Sequence, residues 1–483
     1  MPATVLPDTF REVLARHDDR VAVTDATGSL RYAELADRAR AAAERLKAEA
    51  EAVSGERLHV GVYATNSLDY VAGYLGTLFA GAVPFLIDSA FGPFDLSRIA
   101  EDCGLDLLLH APGADVHTVV TELLPDDGAF GTLALGRVAP GDAPRPRLLD
   151  DTEVCRFTSG STGRPNCIEF SGTAVRSAAA NWAAGTGLSG EDHIACFAAL
   201  SNGLAFNTSL LAAFLPGATL HLSHGLPTAS RVVRLLERTA ATRLVAFPAL
   251  YESIVRRGAG TGFATVRAAI SSGAPLRESV REEFTRLTGV PVHNYYGVAE
   301  TGPLTYAPDG SDDGGLGAPL PGVRLLAPEG GIRVRSESMG SRYLNAPGVF
   351  EERLDDAGYY RTGDQGRLTG GVLHLTGRTS RLVNVGGRKI DPIEIAAVLR
   401  AAPGALDAVA FEAENRHGEP TLAAVVAVED GVSARALRTH CAATLPAFKV
   451  PGILRLVDRI PANSIGKPSV ERLRRLVAET PGD

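Results

Sequence analysis

Four short stretches carry residue types that could do chemistry. Arg156–Asn166 reads RFTSGSTGRPN, in which Gly160 and Gly163 let the backbone turn its N–H groups inward while Thr158, Ser159, Ser161 and Thr162 add hydroxyl donors. Such a set suits a polyanion such as a nucleotide triphosphate. Ser/Thr/Gly clusters also make plain surface loops. The run is not a Walker A loop, because that pattern ends in Gly-Lys-Ser/Thr and here Asn166 stands where the cation would be. Further along, NYYGVAETG (294–302) offers one carboxylate, Glu300, after a glycine turn, and YRTGDQG (360–366) offers Asp364. IPANSIGKP (460–468) offers Lys467, one of only four lysines in a chain that otherwise uses arginine. A lysine kept in such a chain suits a role for a compact point charge on a flexible stem.

The elements that must position these residues read as α/β. A strand-turn pair (21–32), a helix (33–50), the strand HVGVYA, a helix (67–80) and the apolar strand 83–87 resemble a β-α-β unit. The Pro/Gly-rich segment 136–147 reads as a loop delivering the chain to a strand at 154–157 and then to the phosphate loop. Strands ending at Phe157, Ile270 and His293 would bring their loops to one carboxyl edge if they share a parallel sheet. From 314 to 375 the spacing shortens to strands and turns. GRTSRLVNVGGRKI then reads as a linker, and an αββαβ series closes the chain in about a hundred residues.

At 483 residues the chain exceeds one compact core and should divide into two or three domains. The composition, 45% hydrophobic and 22% charged with net charge −8, is that of a globular protein. No basic run speaks for nucleic acid, and no apolar run is long enough to span a bilayer. With no apolar leader at the N-terminus, a cytoplasmic protein is expected. Five scattered cysteines (103, 155, 167, 196, 441) suggest buried thiols rather than disulfides or a zinc site.

FTSGSTGRP, NYYGVAETG, YRTGDQG, GRTSR with GGRKI, and IPANSIGKP occur in this order at domain-scale gaps. With LRYAEL (30–35) and GAVPFLID (81–88), they make nearly the whole chain resemble the adenylate-forming superfamily of acyl-CoA synthetases, nonribosomal-peptide adenylation domains and beetle luciferases. The resemblance implies an α/β fold: a large N-terminal domain of doubly wound α/β subdomains plus a β-rich subdomain over 1–377, a hinge at 378–381, and a small mobile α+β domain over 382–483. It implies a carboxylate attacking the α-phosphorus of ATP to give an acyl-adenylate and pyrophosphate, chemistry that depends on positioning and charge neutralisation.

Carried over residue by residue, Glu300 resembles the Mg²⁺-binding glutamate, a hard cation needing a carboxylate, and Thr301 would bond the α-phosphate. Tyr296 would stack on adenine, Asn294 would bond its amine, and Ser272, Gly273, Ala274, Tyr295 and Gly297 complete the nucleotide site. Asp364 would accept the ribose hydroxyls and Arg378 would reinforce that side. Lys467 would enter from the C-terminal domain to bridge the substrate carboxylate and the α-phosphate. Ser380 takes a hinge position usually Asp or Lys, and Gly386 and Gly387 resemble the pantetheine-tunnel block. Asn166 replaces a usual lysine, so the pyrophosphate contacts should be weaker or be taken over by Arg164.

FNTSLLAAF aligns with FDxSxxxxF, whose aspartate pairs with the α-ammonium of an amino acid; here the residue is the neutral Asn207. An ammonium facing a buried amide loses its ion pair, so the expected substrate is an aryl, hydroxy or short acyl acid without a free α-amino group. Asn207→Asp would then admit α-amino acids. Thr208, Leu211, Ala246, Ile270, Ser272, Tyr295, Pro303 and Leu304 complete the expected pocket. No carrier domain follows Asp483, so transfer to the phosphopantetheine of a separate carrier protein is the first expectation. CoA as acceptor, transfer to a small amine, and a degenerate nucleotide-binding homologue are the alternatives.

Overall fold

The computed structural model describes residues 5–50, 57–141, 144–158, 165–223, 228–258, 261–273, 276–308, 315–329, 331–378, 383–385, 388–390, 392–415, 420–445, 449–462 and 468–478. They fall into two compact units. The larger comprises Met1–Leu325, Val334–Tyr360 and Gly370–Leu373; the smaller comprises Leu326–Arg333, Arg361–Thr369 and His374–Asp483.

Two mixed sheets build the larger unit. In the first, the strands His59–Tyr63, Val83–Leu86, Leu107–His110 and Thr152–Thr158 run parallel, with antiparallel strands at both margins. The three strands up to Leu107–His110 are buried at every position, as parallel strands covered on both faces must be. The helix Leu68–Phe79 lies over them, its first turn capped by Ser67, whose hydroxyl accepts from Tyr70 N. Two bare glycines set its depth: a Cβ on Gly73 would strike Leu109 at 2.4 Å, and one on Gly76 would strike Ala42 of the helix Tyr32–Ala50 at 2.5 Å.

The second sheet holds His193–Cys196, Thr219–Leu222, Arg243–Ala246, Ala268–Ser271 and Val292–Val298 in parallel, joined by Val21–Thr24. At its far margin Val292–Val298 turns back on Gly302–Tyr306 as an antiparallel hairpin. The α/β class read from the sequence holds.

Three local expectations need correction. The motif strands do not share one sheet: Thr152–Thr158 belongs to the first, Ala268–Ser271 and Val292–Val298 to the second. Alternating α/β periodicity reveals strands and helices but not which sheet a strand joins. The loop expected at 136–147 begins inside a strand, Ala134–Val138, whose buried positions pair with Leu107–His110 despite a central glycine; a Cβ on Gly136 would strike Val120 at 2.5 Å. The αββαβ tail is Pro392–Arg400, Ala405–Glu414, Pro420–Val428, Ala434–Thr444 and Ile453–Val457, and it gains a further helix, Val470–Ala478, whose Leu473 and Val477 pack on Phe411 and Val425. All five cysteines are free and buried. Among the described residues no helix is long and apolar enough to cross a membrane.

Candidate active site

The loop expected to bind phosphate joins two paired strands rather than a strand and a helix. Thr152–Thr158 and Asn166–Ser171 run antiparallel, and Thr158 opposite Asn166 closes the connection; Ser159, Gly160, Ser161, Thr162 and Gly163 lie outside the described residues. The return strand is held by Asn345, whose Oδ1 accepts from Cys167 N at 2.8 Å and whose Nδ2 donates to Pro165 O at 3.0 Å.

Glu300 sits on the turn of the hairpin between Val292–Val298 and Gly302–Tyr306. The turn is tight because Gly297 lies against it: a Cβ there would stand 2.4 Å from Gly302 O. Gly302 itself takes φ of +73°, a conformation glycine adopts freely. A crossing segment pins the turn from outside. Gly340 N donates to Glu300 O at 2.8 Å, and Ser338 Oγ donates to Thr301 O at 2.8 Å. The Glu300 carboxylate receives the Tyr343 hydroxyl. Tyr343 packs edge-on against Phe350, which meets the Tyr360 ring at a tilt of 36° with centroids 4.8 Å apart. Burial and the neighbouring carboxylate push the Tyr343 phenol far above its ordinary value, so it stays a donor. Thr301 is fully buried and its hydroxyl faces the carbonyls of Val298 and Gly302.

Ser272 and Tyr295 meet directly: Ser272 Oγ donates to Tyr295 O at 2.9 Å. Gly273 takes φ of +84° beside the Phe247 ring, while Ala274 lies outside the described residues. Tyr295 and Tyr296 are buried, and burial raises the Tyr295 phenol to about 12. Trp182 wedges edge-on between Tyr295 and Tyr306 at 5.1 and 5.5 Å. Asn294 is half-buried, its carbonyl accepting from Ala307 N.

Of the expected acid pocket, Asn207 and Thr208 lie on the short helix Gly203–Ser209, and Leu211 starts the next one. Ala246 ends one strand and Ile270 is next to last on the adjacent parallel strand; Pro303 and Leu304 come from the hairpin. All are buried. Thr208 turns its hydroxyl to Leu204 O at 2.7 Å. The Asn207 amide has no hydrogen-bond partner among the described residues, although it is only 6% exposed. In the smaller unit Asp364 is buried, its N–H bonded to Thr362 Oγ1 and its carbonyl to Ile332 N. The Arg378 side chain and Ser380, Gly386, Gly387 and Lys467 lie outside the described residues.

Four contributors had no role in the sequence reading: Arg156, Tyr343, Ser338 and Trp182. Arg156 is 3% exposed, its guanidinium over the rings of Phe170 and Phe206 at 4.3 and 4.7 Å. Its one hydrogen bond among the described residues is a long 3.4 Å contact to Ala299 O, and its Nε has no partner. Burial lowers it to about 10, so it remains a cation at neutral pH. A charge in the otherwise apolar strand VCRF was its sequence signal.

The AMP-binding enzyme family matches residues 10–352, and its C-terminal domain family matches 394–467. The chain belongs to the AMP-binding enzymes. As one of them it is an ATP-dependent, AMP-forming ligase. Among relatives of this AMP-binding enzyme, 3-hydroxybenzoate–CoA ligase of Aromatoleum sp. (strain CIB) is 27% identical over 95% of this chain and 94% of its own. Isonitrile lipopeptide synthase of Streptomyces coeruleorubidus is 30% identical over 96% of this chain but only 33% of its own length. In structure, o-succinylbenzoate CoA synthetase from Bacillus subtilis, bound to its acyl-adenylate intermediate, superposes with a TM-score of 0.82 over 99% of both chains at 21% identity, a likeness of fold.

Proposed function

We propose that this ligase activates a small carboxylic acid lacking a free α-amino group, as its acyl-adenylate, and passes the acyl group to the thiol of coenzyme A. The observation that carries the choice of acid is Asn207, a buried neutral amide where the motif alignment puts an ammonium-pairing aspartate. A free ammonium placed there would lie beside the Arg156 cation as well, which compounds the penalty. Coenzyme A is favoured as acceptor because the CoA ligase named above matches this chain over almost its whole length. Transfer to a separate carrier protein, the first expectation from the sequence, finds no such support.

In the proposed reaction a substrate carboxylate oxygen attacks the α-phosphorus of ATP, and the bond to the bridging oxygen of pyrophosphate breaks. The thiolate of coenzyme A then attacks the acyl carbon and AMP leaves. Glu300 is suited to hold Mg²⁺: one oxygen takes the Tyr343 hydroxyl and the other takes no hydrogen bond from a described residue. Mg²⁺, when bound, would offset phosphate charge. The hydroxyls and glycines of 158–163 would cradle the phosphates. Ser272–Ala274, Asn294, Tyr296 and Gly297 would hold adenine, Asp364 and Arg378 the ribose, and Thr301 the α-phosphate. Lys467 would stabilise the charge that builds in the transition state.

The test is acid-dependent ATP–pyrophosphate exchange across aryl, hydroxy, short acyl and amino acids, followed by thioester formation with coenzyme A or with a phosphopantetheinylated carrier. Exchange with the acids lacking an amino group, then CoA thioester, is expected. Lys467→Ala should cut exchange by about 10²- to 10³-fold. Exchange confined to α-amino acids would overturn the reading of the acid.

A further inference from the structure

Arg156 and Asn207 hold more donor capacity than the protein uses. Among the described residues no carboxylate lies at ion-pair distance from the Arg156 guanidinium, which is 3% exposed. Two phenylalanine faces shield it, one carbonyl contacts it at 3.4 Å, and Nε has nothing. A guanidinium kept only to latch the Glu300 turn would be expected to spend its fork of donors on that turn, and here one long bond reaches it. A buried charge is costly unless it is paired and hydrogen-bonded.

The amide of Asn207, 6% exposed, stands beside it without a hydrogen bond to a described residue. A Cβ built on Gly203 would lie 3.1 Å from Arg156 Nη1 and 3.8 Å from Asn207 Nδ2, so both donors approach one point that only a glycine leaves free. A second bare glycine, Gly302 of the hairpin, leaves its Cβ position 3.7 Å from the same Nδ2. The guanidinium touches Phe206 and approaches Asn207 and Gly203 of the helix in the proposed acid pocket; Phe170 and Ala299 O also contact it, and Tyr295, Tyr74 and Glu300 are close enough to feel its charge. Tyr295 is shared with the expected nucleotide site and Glu300 with the proposed Mg²⁺ site, whereas the helix residues Gly203, Phe206 and Asn207 have no part in either.

We infer that Arg156 and Asn207 form a receptor for a second carboxylate on the acid substrate, so that the enzyme prefers a dicarboxylic acid, one carboxylate reacting and the other seated on this pair. The inference rests on the acid-activating reading and narrows it. A planar carboxylate matches the guanidinium fork with two parallel N–H···O bonds and leaves a lone pair for the Asn207 amide. The same pair repels an ammonium, which gives a physical reason for excluding amino acids that the amide alone does not supply.

The test compares matched acids in ATP–pyrophosphate exchange: benzene-1,3-dicarboxylate, 3-carbamoylbenzoate, 3-hydroxybenzoate and benzoate, with succinate, succinamate and butyrate as the aliphatic set. In the wild type at least one diacid should exceed its mono-amide by about tenfold or more in kcat/KM. In Arg156→Met that ratio should collapse towards one, the diacid losing more than the amide; in Asn207→Leu it should fall part-way. A wild-type ratio of one or below, or a ratio that survives in Arg156→Met, overturns the inference. Should Arg156→Met not fold, the wild-type ratio decides alone. Calorimetric binding of the diacids in the presence of a non-hydrolysable ATP analogue separates the two readings. Diacid binding that needs Arg156, with no exchange for any acid, would sink the adenylation reading and leave the receptor standing, whereas exchange without diacid preference would do the reverse.

Discussion

Asn207→Asp is the substitution that the sequence alone would choose to admit α-amino acids, and the structure predicts that it fails unless Arg156 is removed with it. The point 3.1 Å from Arg156 Nη1 and 3.8 Å from Asn207 Nδ2 bounds the two nitrogens within about 7 Å of each other. At that separation a new carboxylate and the guanidinium attract by roughly 2 kcal/mol at an effective dielectric of about 20. That is about thirtyfold in an equilibrium constant. An incoming ammonium must compete with this pair, and it must also approach a cation. The assay is ATP–pyrophosphate exchange with a panel of α-amino acids for Asn207→Asp, Arg156→Met and the double variant, treated as a double-mutant cycle. The double variant should activate at least one α-amino acid about thirtyfold better than Asn207→Asp. Equal activity in the single and double variants would show that Arg156 does not neutralise position 207, and the reasoning would fall.

Three further outcomes follow from the geometry. Tyr343→Phe removes the hydroxyl that orients the Glu300 carboxylate, so the Mg²⁺ concentration for half-maximal exchange should rise by about tenfold, and an unchanged Mg²⁺ titration would deny Tyr343 that role. Gly297→Ala drives a methyl to 2.4 Å from a backbone carbonyl that cannot rotate away, and should cost at least about 2 kcal/mol in denaturant unfolding. The control, Gly28→Ala, meets nothing within 4 Å and should change little. His59 and His221 are buried, and burial lowers them to about 4 and about 3, so the unfolded chain binds protons there that the native protein refuses. Stability should therefore fall as pH drops from the ordinary histidine value of about 6.5 towards 4, by up to about 1.4 kcal/mol per pH unit for each residue. Thermal melts of His221→Asn against wild type should show a shallower slope in that window; parallel slopes would contradict it.

What could be read from the sequence was what the chain settles locally. The glycine-rich connection after Thr158, the Glu300 turn and the Asp364 strand start are each written in a few consecutive residues, and the period-2 and period-3.6 patterns gave the α/β class. Long-range partnership was not legible. That the strand ending in Thr158 joins one sheet while those ending in Ser271 and Val298 join the other depends on pairings between residues far apart in sequence. Tyr343 lies 43 residues beyond Glu300 in an unremarkable stretch, SRYLNAP, and nothing in that spelling announces a hydrogen bond to a carboxylate. Arg156 was visible as a charge in an apolar strand, but its want of a partner is a property of the packed core. Asn207 drew notice because its neighbours align with a known pattern, and its physical meaning changes once the guanidinium beside it is seen.

Trp182 is the chain's one tryptophan, almost fully buried and held between Tyr295 and Tyr306. Every photon of indole emission from this protein thus originates beside the wall proposed to receive the acid. Filling that space changes the polarity and rigidity around a single emitter, with no second indole to dilute the signal. Were the acid to bind there, the intrinsic spectrum would report its arrival in stopped flow before any pyrophosphate is released.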